Sequence, residues 1–103
     1  MDDLLAPPTT LELTSTPNPF QRSTRIDYAL AIEGAVTLTV HDLRGGSIAT
    51  LANGAAPAGR YSVVWDGSAA GGGRAPAGVY FVRLAVSAGG RNETKLRKIV
   101  LMN

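Results

Sequence analysis

The chain has 103 residues, room for one domain with a single core, and it contains no cysteine, so disulfides, thiolate metal sites and thiol nucleophiles are excluded together. Hydrophobic residues make up 45% and charged residues 17%, with a formal net charge of +2, too small to drive nucleic-acid binding by itself. Apolar runs reach about five residues against the ~20 a membrane helix needs, and no charged stretch followed by an apolar core opens the chain; neither a membrane span nor an export signal of its own is expected.

Residues 1–9, MDDLLAPPT, join two acids and two adjacent prolines without any period and read as a linker; the domain is expected over residues 10–103. From Thr10 the period is two, the mark of strands with one dry and one wet face. Leu11 and Leu13 share a phase in a short first strand, Thr10 to Thr14, which Pro17 and Pro19 stop by fixing φ and removing two donors. Ile26, Tyr28, Leu30 and Ile32 then alternate with Arg25, Asp27, Ala29 and Ala31, and Val36, Leu38 and Val40 alternate with Thr37, Thr39 and His41. With only a short turn at Glu33-Gly34 between them, these two segments are expected to pair as an antiparallel hairpin. Beyond the turn Asp42–Gly46, the spacing of Ile48 and Leu51 breaks alternation and predicts a bulge or an edge strand.

NGAAPAG, residues 53–59, reads as a loop into a strand carrying Tyr61, Val63 and Trp65 and ending at Asp66-Gly67. The glycine-rich stretch 68–78 reads as the longest loop. Tyr80, Val82, Leu84 and Val86 form the next strand, expected to be central because Val79 and Phe81 are apolar on its other phase. Ala88-Gly89-Gly90 turns into a last segment, Asn92 to Leu101, whose phase is ambiguous: Leu96 and Val100 compete with Ile99 and Leu101. About seven strands with regular turns and no helical period predict an all-β fold, an immunoglobulin-like antiparallel β-sandwich, with a closed barrel as the structural alternative. The expected core is Leu13, Phe20, Ile26, Tyr28, Leu30, Val36, Leu38, Val40, Leu43, Ile48, Tyr61, Val63, Trp65, Tyr80, Val82 and Leu84.

The sequence offers little chemistry. His41 is the single histidine and alternates with core valines, so it should point outward with nothing to activate. Asp42 and Asp66 each stand where a strand meets a turn, the usual place for an aspartate that accepts hydrogen bonds from its own turn. Gly71-Gly72-Gly73-Arg74 lacks the following helix that a phosphate cradle requires. Asp66 and Ser68 leave open only a weakly held ion, and Asn92-Glu93-Thr94 matches the N-glycosylation triplet, a pattern too short to carry weight alone. Five of the six aromatic rings fit inward or turn-plugging positions, leaving Phe81 as a lone outward ring, too few for a sugar platform. No catalytic residue, cofactor or resident metal is expected. Charge is uneven: residues 51–103 hold seven basic and two acidic side chains, and Arg91, Lys95, Arg97 and Lys98 cluster around Glu93, either as a solvated strand face or as a surface for an anionic partner.

Taken together, Pro17-Asn18-Pro19-Phe20, Thr24-Arg25-Ile26-Asp27-Tyr28, Val40-His41-Asp42-Leu43-Arg44-Gly45, Trp65-Asp66-Gly67, Pro76-Ala77-Gly78-Val79-Tyr80-Phe81-Val82-Arg83-Leu84 and Arg97-Lys98-Ile99-Val100-Leu101 resemble the C-terminal sorting domain of type IX secretion cargo over residues 10–103. Trp-Asp-Gly and Ala-Gly-x-Tyr also occur in the immunoglobulin-like domain of the flagellar hook-capping protein, a structural relative. The chain departs from the secretion pattern at Gln21-Arg22, where Asn-Pro is common, and at His41, where an aromatic is usual.

The resemblance implies the C-terminal part of a larger exported protein. The passenger crosses the inner membrane on its own signal peptide, passes through the periplasm, and reaches the cell surface or medium after an outer-membrane translocon recognises the folded domain. A sortase-like protease cuts many members in the preceding linker, here at or before residue 10, and joins the passenger to an anionic lipopolysaccharide. Gly78, Tyr80, Lys98, Ile99, Val100 and Leu101 are expected to shape what the translocon reads. The alternative is an immunoglobulin-like structural module that mediates subunit contacts, as in the hook cap.

Overall fold

Period-two alternation becomes seven strands in the computed structural model, which describes residues 8–103: β1 Glu12–Thr16, β2 Thr24–Leu30, β3 Gly34–His41, β4 Ser47–Ala56, β5 Gly59–Trp65, β6 Gly78–Ala88 and β7 Arg91–Leu101. The linker expected over residues 1–9 lies outside the described residues except for Pro8 and Thr9, which belong to no strand. The strands form two antiparallel sheets, β1-β2-β5 and β4-β3-β6-β7, whose apolar faces meet. This is an immunoglobulin-like sandwich, and the open sheet edges exclude the barrel.

The core follows the pleat. Leu13, Tyr28 and Tyr61 form one cross-strand row in the smaller sheet. Val36–Val86, Leu38–Leu84 and Val40–Val82 pair across β3 and β6 in the larger one. Ile26, Leu38, Val40, Val82, Leu84 and Ile99 have no solvent exposure. Thr24 is equally buried without a polar penalty: its hydroxyl donates to the Pro17 carbonyl at 2.8 Å and accepts from Ser15 Oγ at 2.5 Å.

Four expectations are corrected. β2 and β3 do not form a hairpin, because Ala31-Ile32-Glu33 carries the chain from one sheet to the other and β2 pairs with β5 instead. Placing them in opposite sheets lets their apolar faces cover each other across the core. Ile32, left in the crossing, is 55% exposed. Secondly, β4 runs on through Asn53-Gly54 to Ala56, so the expected loop shrinks to Pro57-Ala58. Leu43, expected in the core, is 69% exposed because the Asp42–Gly46 turn carries it outward at its tip. Finally, Ile48, Tyr61 and Val63 are only partly buried and pack on the margins of the core.

Other readings hold. Register shifts between Leu38 and Thr39 and between Val40 and His41 leave Leu51 and Ile48 as the extra residues of β4, which is an edge strand. β6 is central, flanked by β3 and β7. The ambiguous phase of β7 resolves with Ile99 and Leu101 inward and Leu96 outward at 63% exposure.

Candidate recognition site at the C-terminal edge

The proline-rich segment after β1 does more than end a strand. Thr16-Pro17 and Asn18-Pro19 are cis peptides, and between the prolines the Asn18 side chain turns to β7. Its amide Nδ2 donates to the Lys98 carbonyl at 2.8 Å and its Oδ1 accepts the Val100 N–H at 3.0 Å. Phe20 continues the clasp: its N–H donates to the Val100 carbonyl at 2.9 Å, and its carbonyl accepts the Met102 N–H at 2.8 Å. Gln21 Nε2 adds a bond to the Asn103 carbonyl at 2.9 Å. One side chain and one residue of backbone thus act as a short strand along the end of β7, which prolines alone could not do because they lack N–H donors.

Beneath the clasp lies an aromatic cluster. Phe20 and Tyr80 both meet the Trp65 ring edge-on, each with centroids 5.6 Å apart. Trp65 Nε1 donates to the Ser68 carbonyl at 2.9 Å, and Tyr80 Oη donates to the Pro76 carbonyl at 2.5 Å, so both rings are buried with their polar atoms satisfied. Burial raises the Tyr80 phenol above its ordinary 10.0, with a smaller contribution from the Asp42 charge.

The six residues expected to shape recognition are therefore close together. β6 pairs with β7 so that Gly78 faces Leu101, Tyr80 faces Ile99, and Lys98 lies opposite Phe81. They divide by depth. Tyr80, Ile99 and Leu101 belong to the core, Gly78 and Val100 are half-buried, and Lys98 is exposed. Only the last three offer atoms to a partner at the surface; the others fix the shape below. Gly78 has φ +153, a conformation that a side chain strains, although no neighbour crowds the place a Cβ would take.

The sequence reading missed Arg74. Its guanidinium Nη1 donates to the Asp66 carbonyl at 2.7 Å, and Nη2 donates to the Gln21 carbonyl, tying the longest loop to the clasp. A Cβ on Gly67, at φ +85, would stand 2.9 Å from Arg74 Nη1, which is why Trp-Asp-Gly ends in glycine here. Hydrogen bonding to Ser68, whose N–H lies 3.0 Å from Oδ1, holds the Asp66 carboxyl below the usual carboxylate range. The only sequence signal for Arg74 was a lone charge in a glycine run, which does not name a partner.

The turn residues do structural work. Asp42 Oδ1 accepts the N–H groups of Arg44 and Gly46, each at 2.9 Å. His41 is half-buried, its Nε2 lying 2.8 Å from Thr39 Oγ1 and its Nδ1 3.2 Å from the Gly45 carbonyl. Among the described residues no three His, Cys, Asp or Glu side chains gather as a metal site, and no helix is long and apolar enough to cross a membrane.

Against this geometry, the sequence profile of the FlgD Ig-like domain matches residues 21–90. The chain belongs to that family. No curated protein matches it in sequence. Its fold is similar to that of latent PorU from Porphyromonas gingivalis, crystallised as a dimer, with a TM-score of 0.75 and 17% identity over 94% of this chain and 10% of that one. It is also similar to FlgD from P. aeruginosa, with a TM-score of 0.61 and 20% identity over 92% of this chain and 76% of that one. The chain therefore spans a tenth of the length of PorU. The family match begins after Phe20 and ends before β7, so the clasp and the strand it holds both lie outside it.

Proposed function

We propose that this immunoglobulin-like domain is a non-catalytic C-terminal sorting signal that directs a larger passenger, N-terminal to it, across the outer membrane by type IX secretion and towards attachment at the cell surface. The observation that carries the reading is the clasp: Asn18 and Phe20 hold the backbone of residues 98–102, fixing the end of the chain in one shape. A translocon that must recognise a folded cargo needs such a fixed shape. The likeness in fold to PorU, a type IX secretion protein, supports the same reading. The partners are then the outer-membrane translocon, a sortase-like protease acting in the preceding linker, and the passenger itself. No nucleic acid is involved.

The test is a fusion of the whole chain behind an exported reporter in a bacterium that has the secretion system. The intact fusion should reach the surface or medium, and deletion of residues 97–103 should leave it in the periplasm. Because that deletion also removes core side chains, the exposed substitution Lys98→Glu is the second arm and should reduce export without unfolding the domain. Normal secretion of both variants overturns the proposal. The family match to the FlgD Ig-like domain favours a second reading, a structural module that holds subunits together. That reading predicts a stable subunit complex and no effect of the fusion on export.

A further inference from the structure

The clasp covers only part of β7. Lys98 C=O, Val100 N–H and C=O, and Met102 N–H all point away from β6 and are bonded by Asn18 and Phe20. Strand backbone groups alternate in direction with period two, so Asn92, Thr94 and Leu96 present N–H and C=O on that same side, as does the Lys98 N–H. Among the described residues no strand pairs with this stretch; β1 of the other sheet comes near β7 without bonding to it, and every side chain from Arg91 to Lys98 is exposed.

Charge determines what fits there. The strand carries Arg91, Lys95, Arg97 and Lys98 against Glu93, a net +3. Lys95 and Arg97 share the inward phase with Ile99 but lie beyond the core, opposite Leu84 and Val82. Leu96 stands between them on the outer face, 63% exposed. A second copy is a poor occupant. It brings a second strand of net +3. Two-fold antiparallel pairing centred on residue 94 or 95 sets Glu93 opposite Lys95 or Arg97 but also Arg91 opposite Arg97 or Lys95 opposite itself, and on 96 it sets Lys95 opposite Arg97, whereas an acidic strand meets like charge only at Glu93.

We infer that the open edge of β7, Asn92–Lys98, is a docking site for an extended acidic strand of another protein. Its backbone extends the β4-β3-β6-β7 sheet, alternate carboxylates face Lys95 and Arg97, and an apolar or β-branched residue between them faces Leu96. Main-chain bonds supply affinity and the alternating side chains supply selection. The inference goes beyond the sorting reading and does not depend on it, since the open edge lies ahead of the clasped end.

The test titrates the isotope-labelled chain with a capped synthetic peptide in which glutamate alternates with valine and threonine, and with the same peptide carrying lysine for glutamate. Only the acidic peptide should slow amide exchange at Thr94 and Leu96, by about tenfold or more at saturation. The double variant K95E/R97E should weaken acidic-peptide binding about tenfold, the factor that corresponds to about 1.4 kcal/mol, and should accept the lysine peptide instead. Thr94→Pro removes an outward N–H without touching a bond to β6 and should abolish binding with the fold intact. If that variant fails to fold, the charge reversal decides. Equal binding of both peptides, no protection with either, or protection that appears without peptide as protein concentration rises would each overturn the inference.

Discussion

Asn18 stands in for a strand. Its amide supplies the donor and the acceptor that its proline neighbours lack, and it spends both on β7. Asn18→Ala should lower unfolding free energy by about 1–2 kcal/mol and speed amide exchange at Val100 and Met102 far more than in β3. Denaturant titration with residue-resolved exchange checks this, and unchanged exchange at Val100 would refute the clasp. The roles of Asp42 and Asp66 were legible in sequence because their partners lie within a few residues. Arg74 and Asn18 were not, because their partners Gln21, Lys98 and Val100 are brought to them only by the fold. Likewise the exposure of Leu43 depends on how its turn leaves the sheet, since an apolar residue beside a strand looks the same in sequence whether it points in or out.

At the scale of elements, β7 holds two different halves in one strand. Residues 91–98 are exposed on both faces, while Ile99 and Leu101 are buried. The same substitution should therefore behave oppositely along it. Leu101→Ala should cost about 2–5 kcal/mol, whereas Leu96→Ala should stay within about 0.5 kcal/mol, read as the difference between their urea midpoints. Similar losses at both positions would contradict the assigned phase. Period alone left that phase open because a strand wet on both faces over most of its length has no preferred side. The bulges of β4 were legible, since a spacing of three between Ile48 and Leu51 cannot fit an unbroken ladder. The partner of β2 was not: nearness in sequence favoured β3, and shared burial of apolar faces chose β5.

At the scale of the molecule, both sheets bury a phenol. Burial raises Tyr28, with a further rise from neighbouring Tyr61, and burial also raises Tyr80. A raised phenol pKa means that the folded state holds the proton more tightly than the unfolded chain. The stability this contributes is complete below the ordinary phenol value of 10.0 and is lost as pH rises through the folded value. Unfolding free energy should thus fall above pH about 10, and Tyr28→Phe and Tyr80→Phe should each flatten that fall, measured by denaturant titration across alkaline pH. An unchanged slope in both variants would remove this account. The sequence by itself determined the fold class, most of the core and the turns, because alternation, glycine and proline act over a few residues. Only the tertiary structure decided which strands share a sheet, how the chain's end is clasped, and which length of β7 stays open. Those depend on contacts between residues as far apart as Asn18 and Val100, which form only once the two sheets have closed on each other.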